Sequence, residues 1–286
     1  MQEISLNLDV GGMKPIVQAF NNIDYNQNFK IVIHHKPNTR IRVEKYPLLC
    51  SIVNEIRQLG YCCKIELKCN QKCSQLNYAE RMGFLTFLGL DYTYPLIKRN
   101  GGGRFIEVKN ITNYYYPETE MLEVFTNDFN FTKEQADDVA MIFSELTNNS
   151  YMHAENKGGS ILYCQKYPIQ KNLKLFIVDS GIGICNAMKT KEKYQNLNEL
   201  EVFKKSIEFG EGNGKGYGQG LYLVTEFIKR NLGYLRLISG KYYLKVEKGL
   251  MTFHELDLEY KGVILELGIP FVINTTMLDL MDEKTE

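Results

Sequence analysis

Apolar and polar positions switch between two periods along the first part of the chain. ISLNL (4–8), KIVIHH (30–35), CCKIEL (62–67) and RFIEV (104–108) read as strands. Between them, EKYPLLCSIVNEIRQL carries Leu48, Ile52, Ile56 and Leu59 at helical spacing, and SQLNYAERMGFLTFL (74–88) reads as a second helix. Strand and helix alternate, so residues 1–112 are expected to form a small α/β unit. His34 and His35 are neighbours in a strand, which sends one inward and one outward.

NGGGRF (100–105) is a turn signal, and the tyrosine-rich NITNYYYPE (110–118) reads as the crossing into a second domain over residues 118–272. That domain opens with MLEVFT. Thr132 and Gln135 have capping-box spacing, and Ala136, Val139, Phe143, Leu146 and Ser150 then mark the core face of a long helix. Strands are expected at 160–167 and 173–179, and a charged helical stretch near 198–209. A further helix, LYLVTEFIKRNLG, is expected to stop at Gly233 as its cap. YLRLISG, YYLKVEKG and VILELGIP read as closing strands, and residues 273–286, with MLDLMDEKTE, as a frayed tail.

Composition narrows the class. The chain has 286 residues, 44% of them hydrophobic, which is ample for a core. Lys+Arg and Asp+Glu balance at 34 each, which argues against a nucleic-acid partner. No apolar stretch approaches the roughly 18 residues of a membrane span, and no amino-terminal signal is evident, so a cytoplasmic protein is expected. Seven cysteines, an odd number without a secretory signal, read as free thiols. Cys62, Cys63, Cys69 and Cys73 cluster, but no C-x-x-C pair is present, and Cys62 and Cys63 should point to opposite faces of a strand, which argues against zinc.

One stretch departs from ordinary usage. In FGEGNGKGYGQGLYLV (209–224) every second residue from Gly210 to Gly220 is glycine, although each ordered glycine costs up to about 1 kcal/mol against alanine. The spacing is neither a Walker A loop nor a Rossmann fingerprint. What remains is a pliable segment running into a helix amino terminus, where backbone amides and the helix dipole favour an anion. Gly210–Lys215 reads as a pliable lid and Gly216–Gly220 as its anion-holding end, the alternative being a glycine-rich surface loop with no ligand. Two further pieces join it. DSGIG (179–183) places a carboxylate where a strand runs into a Gly-x-Gly turn. Glu145, Asn149 and His153, four apart, lie within about 80° on one helix and border its core face.

In this order ELTNNSYMH, DSGIG and GYGQGL resemble the N, G1 and G2 boxes of the GHKL ATP-binding family, which includes DNA gyrase, bacterial histidine kinases, mismatch-repair ATPases and anti-sigma-factor serine kinases. The resemblance covers residues 118–272 and implies the Bergerat fold, a mixed sheet layered on helices. It implies ATP and Mg2+ as cofactors: Asn149 as the Mg2+ ligand, Asp179 as acceptor from the adenine amine, Gly181 and Gly183 beside the base, and Gly216, Gly218, Gly220 and Leu221 at the triphosphate. Glu145 takes the general-base position, His153 supports the site, and Lys215 is placed as a γ-phosphate contact by inference rather than by motif.

The chain does not resemble a histidine kinase. His254, in FHELDLEY, follows the G2 box and lacks an H-box context, and Met152 replaces the basic residue usual in that N box. Little chain remains after residue 272 for a gyrase-type transducer. The N box with Glu145 and His153 is most similar to the anti-sigma serine kinases. NYAERMGFLTFLGL gives residues 1–112 a weaker likeness to STAS domains, the fold of anti-anti-sigma factors, although TRIRVEKYPLL has no serine where those switches are phosphorylated. The implied activity is slow ATP hydrolysis or γ-phosphate transfer to Ser/Thr of a partner protein, as a nucleotide-dependent regulator. The alternative is a non-enzymatic adaptor whose ATP state controls partner binding. A homodimer is allowed.

Overall fold

The computed structural model describes residues 2–8, 12–23, 28–35, 44–69, 74–90, 104–112, 118–153, 158–212 and 219–284. Two sheets organise them. The first is built from β1 (Gln2–Asn7), β2 (Phe29–His34) and β3 (Cys63–Lys68), all parallel and in the order β1-β2-β3. Helices α1 (Lys14–Asn21) and α2 (Lys45–Gln58) make the crossovers. Right-handed connections put both on one face of the sheet, and their apolar residues share one core with Ile4, Leu6, Ile31 and Ile33.

The second sheet has the order β4-β5-β6-β8-β7, with every pairing antiparallel. Its strands are β4 (Phe105–Ile111), β5 (Ser160–Tyr167), β6 (Asn172–Asp179), β7 (Tyr234–Glu247) and β8 (Leu250–Pro270). The α/β class with helices layered on two sheets therefore holds, but the second sheet is antiparallel throughout its described strands rather than mixed. The strand at RFIEV, grouped with the first unit on sequence, belongs to the second sheet, where it pairs with β5. Local alternation predicts a strand without saying which sheet will take it.

The second sheet is covered on both faces. On one lie α6 (Lys133–His153) and α10 (Gly220–Arg230), packed over Leu175, Ile177, Leu265 and Leu267. On the other, Ile161, Tyr163, Phe176, Val178, Tyr260 and Ile264 join the core of the first unit. Rings cross the boundary in sequence: Tyr46 stacks on Phe84 at 5.3 Å, Phe84 meets Tyr163 at 5.4 Å, and Tyr163 stacks on Phe176 at 5.5 Å. α2 lies between the two sheets, which is why Tyr46 to Val53 are all buried rather than one stripe of them.

Several expectations need correction. The helix read over 74–88 is broken at Gly83 (φ 79°) into α3 (Ser74–Arg81) and α4 (Phe84–Leu88), where a side chain would crowd Val108. The closing strands are two long ones, β7 and β8, joined at Lys248-Gly249, both with positive φ, the geometry of a tight hairpin turn. The helix α10 ends not on Gly233 but on Leu232, the residue that takes the left-handed conformation (φ 55°). Gly233 is bare for another reason: a side chain there would run into the Gly268 carbonyl.

The terminal segment is not a frayed tail. Met277–Asp282 forms a further helix, α11, started by a Thr276–Asp279 capping box. Met277 and Leu280 are buried in the core under α6 and α10. Asp138 of α6 accepts from the Met277 amide at 2.7 Å, and the Asn231 side chain bonds both Asn274 and Thr275. The short helices α5 (Glu118–Glu123), α7 (Ile184–Lys189), α8 (Glu192–Gln195) and α9 (Glu199–Lys205) complete the described elements, with a single π turn at 124–128. Among the described residues no helix is long and apolar enough to cross a membrane.

Candidate functional site

α6 begins as its sequence says. The Thr132 amide donates to Gln135 Oε1 at 3.0 Å, and the Gln135 amide to Thr132 Oγ1 at 3.3 Å. Ala136, Val139, Phe143 and Leu146 are buried, so the helix is held by that stripe, and Ser150 at its end is half-buried. Glu145 and Asn149, one turn apart, sit on the half-buried flank of the stripe. Burial raises the Glu145 carboxyl above the ordinary carboxylate range, toward the values that suit a general base near neutral pH.

The amino terminus of α10 meets that flank. A side chain on Gly220 would fall on the Glu145 carboxylate, and its Cβ would stand 3.4 Å from Asn149 Nδ2. The glycine lets a helix terminus close onto two polar side chains of α6. Leu221 follows it, half-buried against the core. Thus Glu145, Asn149, Gly220 and Leu221, predicted from motifs about 70 residues apart in sequence, are brought together.

A second corner forms at the end of β6. Asp179 continues the alternation of Leu173, Leu175 and Ile177, so its carboxyl lies on the α6–α10 side of the sheet. It is 2% exposed, and Oδ1 accepts from the Gly181 amide at 2.9 Å. Burial pushes this carboxyl up to about 7, against the pull of the Gly181 and Val263 amides; the Glu55 charge adds to the rise. Gly183 has a φ of 78°, and a side chain on it would strike the Lys261 carbonyl and the Ser239 hydroxyl. Its bareness serves the close approach of β7 and β8.

Ser239, at 1% exposure, ties this turn down: Oγ accepts from the Ile184 amide at 2.9 Å and donates to the Gly262 carbonyl at 3.0 Å. Gly262 is required because a side chain would collide with the Asp179 backbone. Tyr260 donates its hydroxyl to the Asp179 carbonyl at 2.8 Å. Sequence reasoning missed these residues. The break in the strand pattern at Lys261-Gly262 was the available signal for Gly262; nothing local marks Ser239 or Tyr260.

Lys215, Gly216 and Gly218, and with them half of the lid, lie outside the described residues, and the side chain of His153, the last residue of α6, is not described. The donors that do converge, a carboxylate and an amide at the end of a bare helix terminus, are hard oxygen ligands of the kind Mg2+ takes while keeping waters and phosphate oxygens. They fit a Mg2+–phosphate group. Among the described residues no cluster of three His, Cys, Asp or Glu side chains could hold a metal without such a ligand.

No family model matches the sequence, and no solved structure matches it. An anti-sigma F factor from Clostridium acetobutylicum is 37% identical over 104 residues, which is 32% of this chain and 72% of that protein. With that identity over most of the relative's own length, the chain belongs to the anti-sigma F factor family.

Proposed function

We propose that this protein is an ATP- and Mg2+-binding regulator of the GHKL type, acting in the cytoplasm, that turns over ATP slowly or passes its γ-phosphate to a Ser or Thr of a protein partner. The observation that carries the reading is the contact of Glu145 and Asn149 with the bare terminus of α10 at Gly220. Asn149 would hold Mg2+ with Glu145 beside it. When bound, the ion neutralises charge on the phosphates. Helix α10 offers its first amides and its positive dipole end to the phosphates. Glu145 orients and deprotonates the attacking water or hydroxyl, a role its burial suits. Asp179 accepts from the adenine amine, with the Gly181 amide donating to its Oδ1 and holding the carboxyl in place.

The relative's name makes a sigma factor the first partner to test. The first unit, STAS-like in its sequence, acts as a fixed docking module: its α2 shares one core with the second sheet, so it is not a tethered appendage. The test is incubation of the purified protein with Mg2+ and γ-labelled ATP, alone and with candidate partners. Label released as phosphate or found on a partner Ser or Thr, and lost in Glu145→Gln, supports the reading. ATP binding without turnover under any of these conditions would leave the adaptor role instead.

A further inference from the structure

The first unit touches the Asp179 turn directly. α2 carries Ser51 into a buried position, 2% exposed, where its hydroxyl lies 3.3 Å from that of Ser180. Ser180 Oγ also donates to the Ser51 carbonyl at 3.4 Å. Tyr260, 5% exposed, packs in the same core as α1 and α2 and donates to the Asp179 carbonyl at 2.8 Å. Ser51 therefore ties α2 of the first unit to the Ser180 side chain, while Tyr260 of β8 holds the Asp179 carbonyl beside it.

The space around this bridge sharpens its role. A cavity of about 520 Å³ opens between α1, α2 and the end of the second sheet, lined by Ile52, Glu55, Tyr61, Ser180, Tyr260 and Lys261 among others. Ser180 thus borders open volume on the α1–α2 side, while Gly262 packs its backbone against residues 179 and 180 from β8. On that side the turn is fixed by hydrogen bonds, whose loss a packed wall would not compensate.

Resting on the nucleotide reading above, we infer that Ser51 and Tyr260 are positioning residues for the adenine end of the site, so that the first unit sets affinity for the base through the Asp179 turn and leaves the phosphate end untouched. The phosphate end is built from α6 and α10, on the opposite face of the sheet from α2. Movement of α2 therefore reaches Asp179 first. A partner docked on the first unit would tune nucleotide affinity by this route.

The experiment is calorimetric titration of the full chain with Mg·ATP and, separately, with Mg·tripolyphosphate, which has no base. Ser51→Ala and Tyr260→Phe each remove a hydroxyl and keep most of the packing. Each should weaken ATP by about three- to tenfold, the range for one buried hydrogen bond, while tripolyphosphate binds as in the parent. The double variant should lose less than the product of the two, since the hydroxyls act on one turn. Unchanged ATP affinity in both variants, or equal losses for ATP and tripolyphosphate, overturns the inference. A parent protein that binds neither ligand, or whose ATP affinity ignores Asp179→Asn, overturns instead the nucleotide reading beneath it.

Discussion

The Glu145 carboxylate occupies the space that a side chain on Gly220 would need. Two motifs read separately in the sequence are thereby one device, and each can be broken from the other's side. Glu145→Gln keeps the shape and removes the proposed base: on that proposal ATP should still bind, and turnover should fall by about 100-fold. Gly220→Ala should displace Glu145 and lower turnover comparably, while also loosening the α6–α10 contact. Steady-state phosphate release with a parallel binding titration checks both. Full turnover in Glu145→Gln would remove it from the chemistry.

Asp179 gives the site a pH dependence. Its folded-state value near 7 lies above the ordinary 3.8 because the carboxyl is buried. A protonated carboxyl is a poorer acceptor for an amine, so nucleotide affinity should rise with pH up to about 7 and level off above it. Between pH 6 and pH 8 the gain should be about tenfold, and Asp179→Asn should flatten the profile. For the empty protein the sign is opposite. The folded state holds this proton more tightly than the unfolded chain, so its contribution to stability is present at low pH and lost as pH rises from about 4 to about 7. Titrations at both pH values, with urea melts of the unliganded protein, read the two effects separately.

The docked carboxy-terminal helix makes a stability prediction. Met277 is fully buried, and Met277→Ala should cost about 2–5 kcal/mol in a urea melt. A frayed segment would show a change near zero. The Asp138 beneath it, raised by burial from 3.8 to about 6, has one oxygen on the Met277 amide and one buried oxygen without a partner. Its contribution should be lost as pH rises from about 4 to about 6, and Asp138→Asn should remove that part of the slope.

Asp179, Gly183 and Gly220 were legible because their types are a local signal: a carboxylate at a strand end and glycines where chains touch. Much of the fold was legible by period. What failed shares a physical cause, contact between distant segments. β4 alternates like any strand, and only pairing with β5 assigns it to the second sheet. The near half of β8 is largely exposed, with only Phe253, Leu256 and Leu258 half-buried, so its alternation at 256–260 marks a strand without a buried face to confirm it. The polar Thr276–Asp279 cap and two buried residues three apart are too short a signal for α11. Ser51 and Ser180 meet across 129 positions. No window of sequence contains both.

The end of α10 offers a test in which adjacent substitutions should act with opposite signs. Leu232 holds a left-handed conformation (φ 55°) while 67% exposed, so its side chain contributes little packing to offset the strain. A non-glycine residue in that region costs about 1–2 kcal/mol, and glycine returns part of the gain through the greater freedom of the unfolded chain. Leu232→Gly should therefore stabilise by about 0.5–1 kcal/mol. The next residue is bare because the backbone of Gly268 comes close, with the Pro270 ring beside it. Neither can swing aside as a flexible side chain would. Gly233→Ala should destabilise by about 1–3 kcal/mol, the range for overpacking. Urea melts of the two variants at pH 7.5 decide the matter. A destabilised Leu232→Gly with a neutral Gly233→Ala would return the cap to Gly233, where the sequence first placed it.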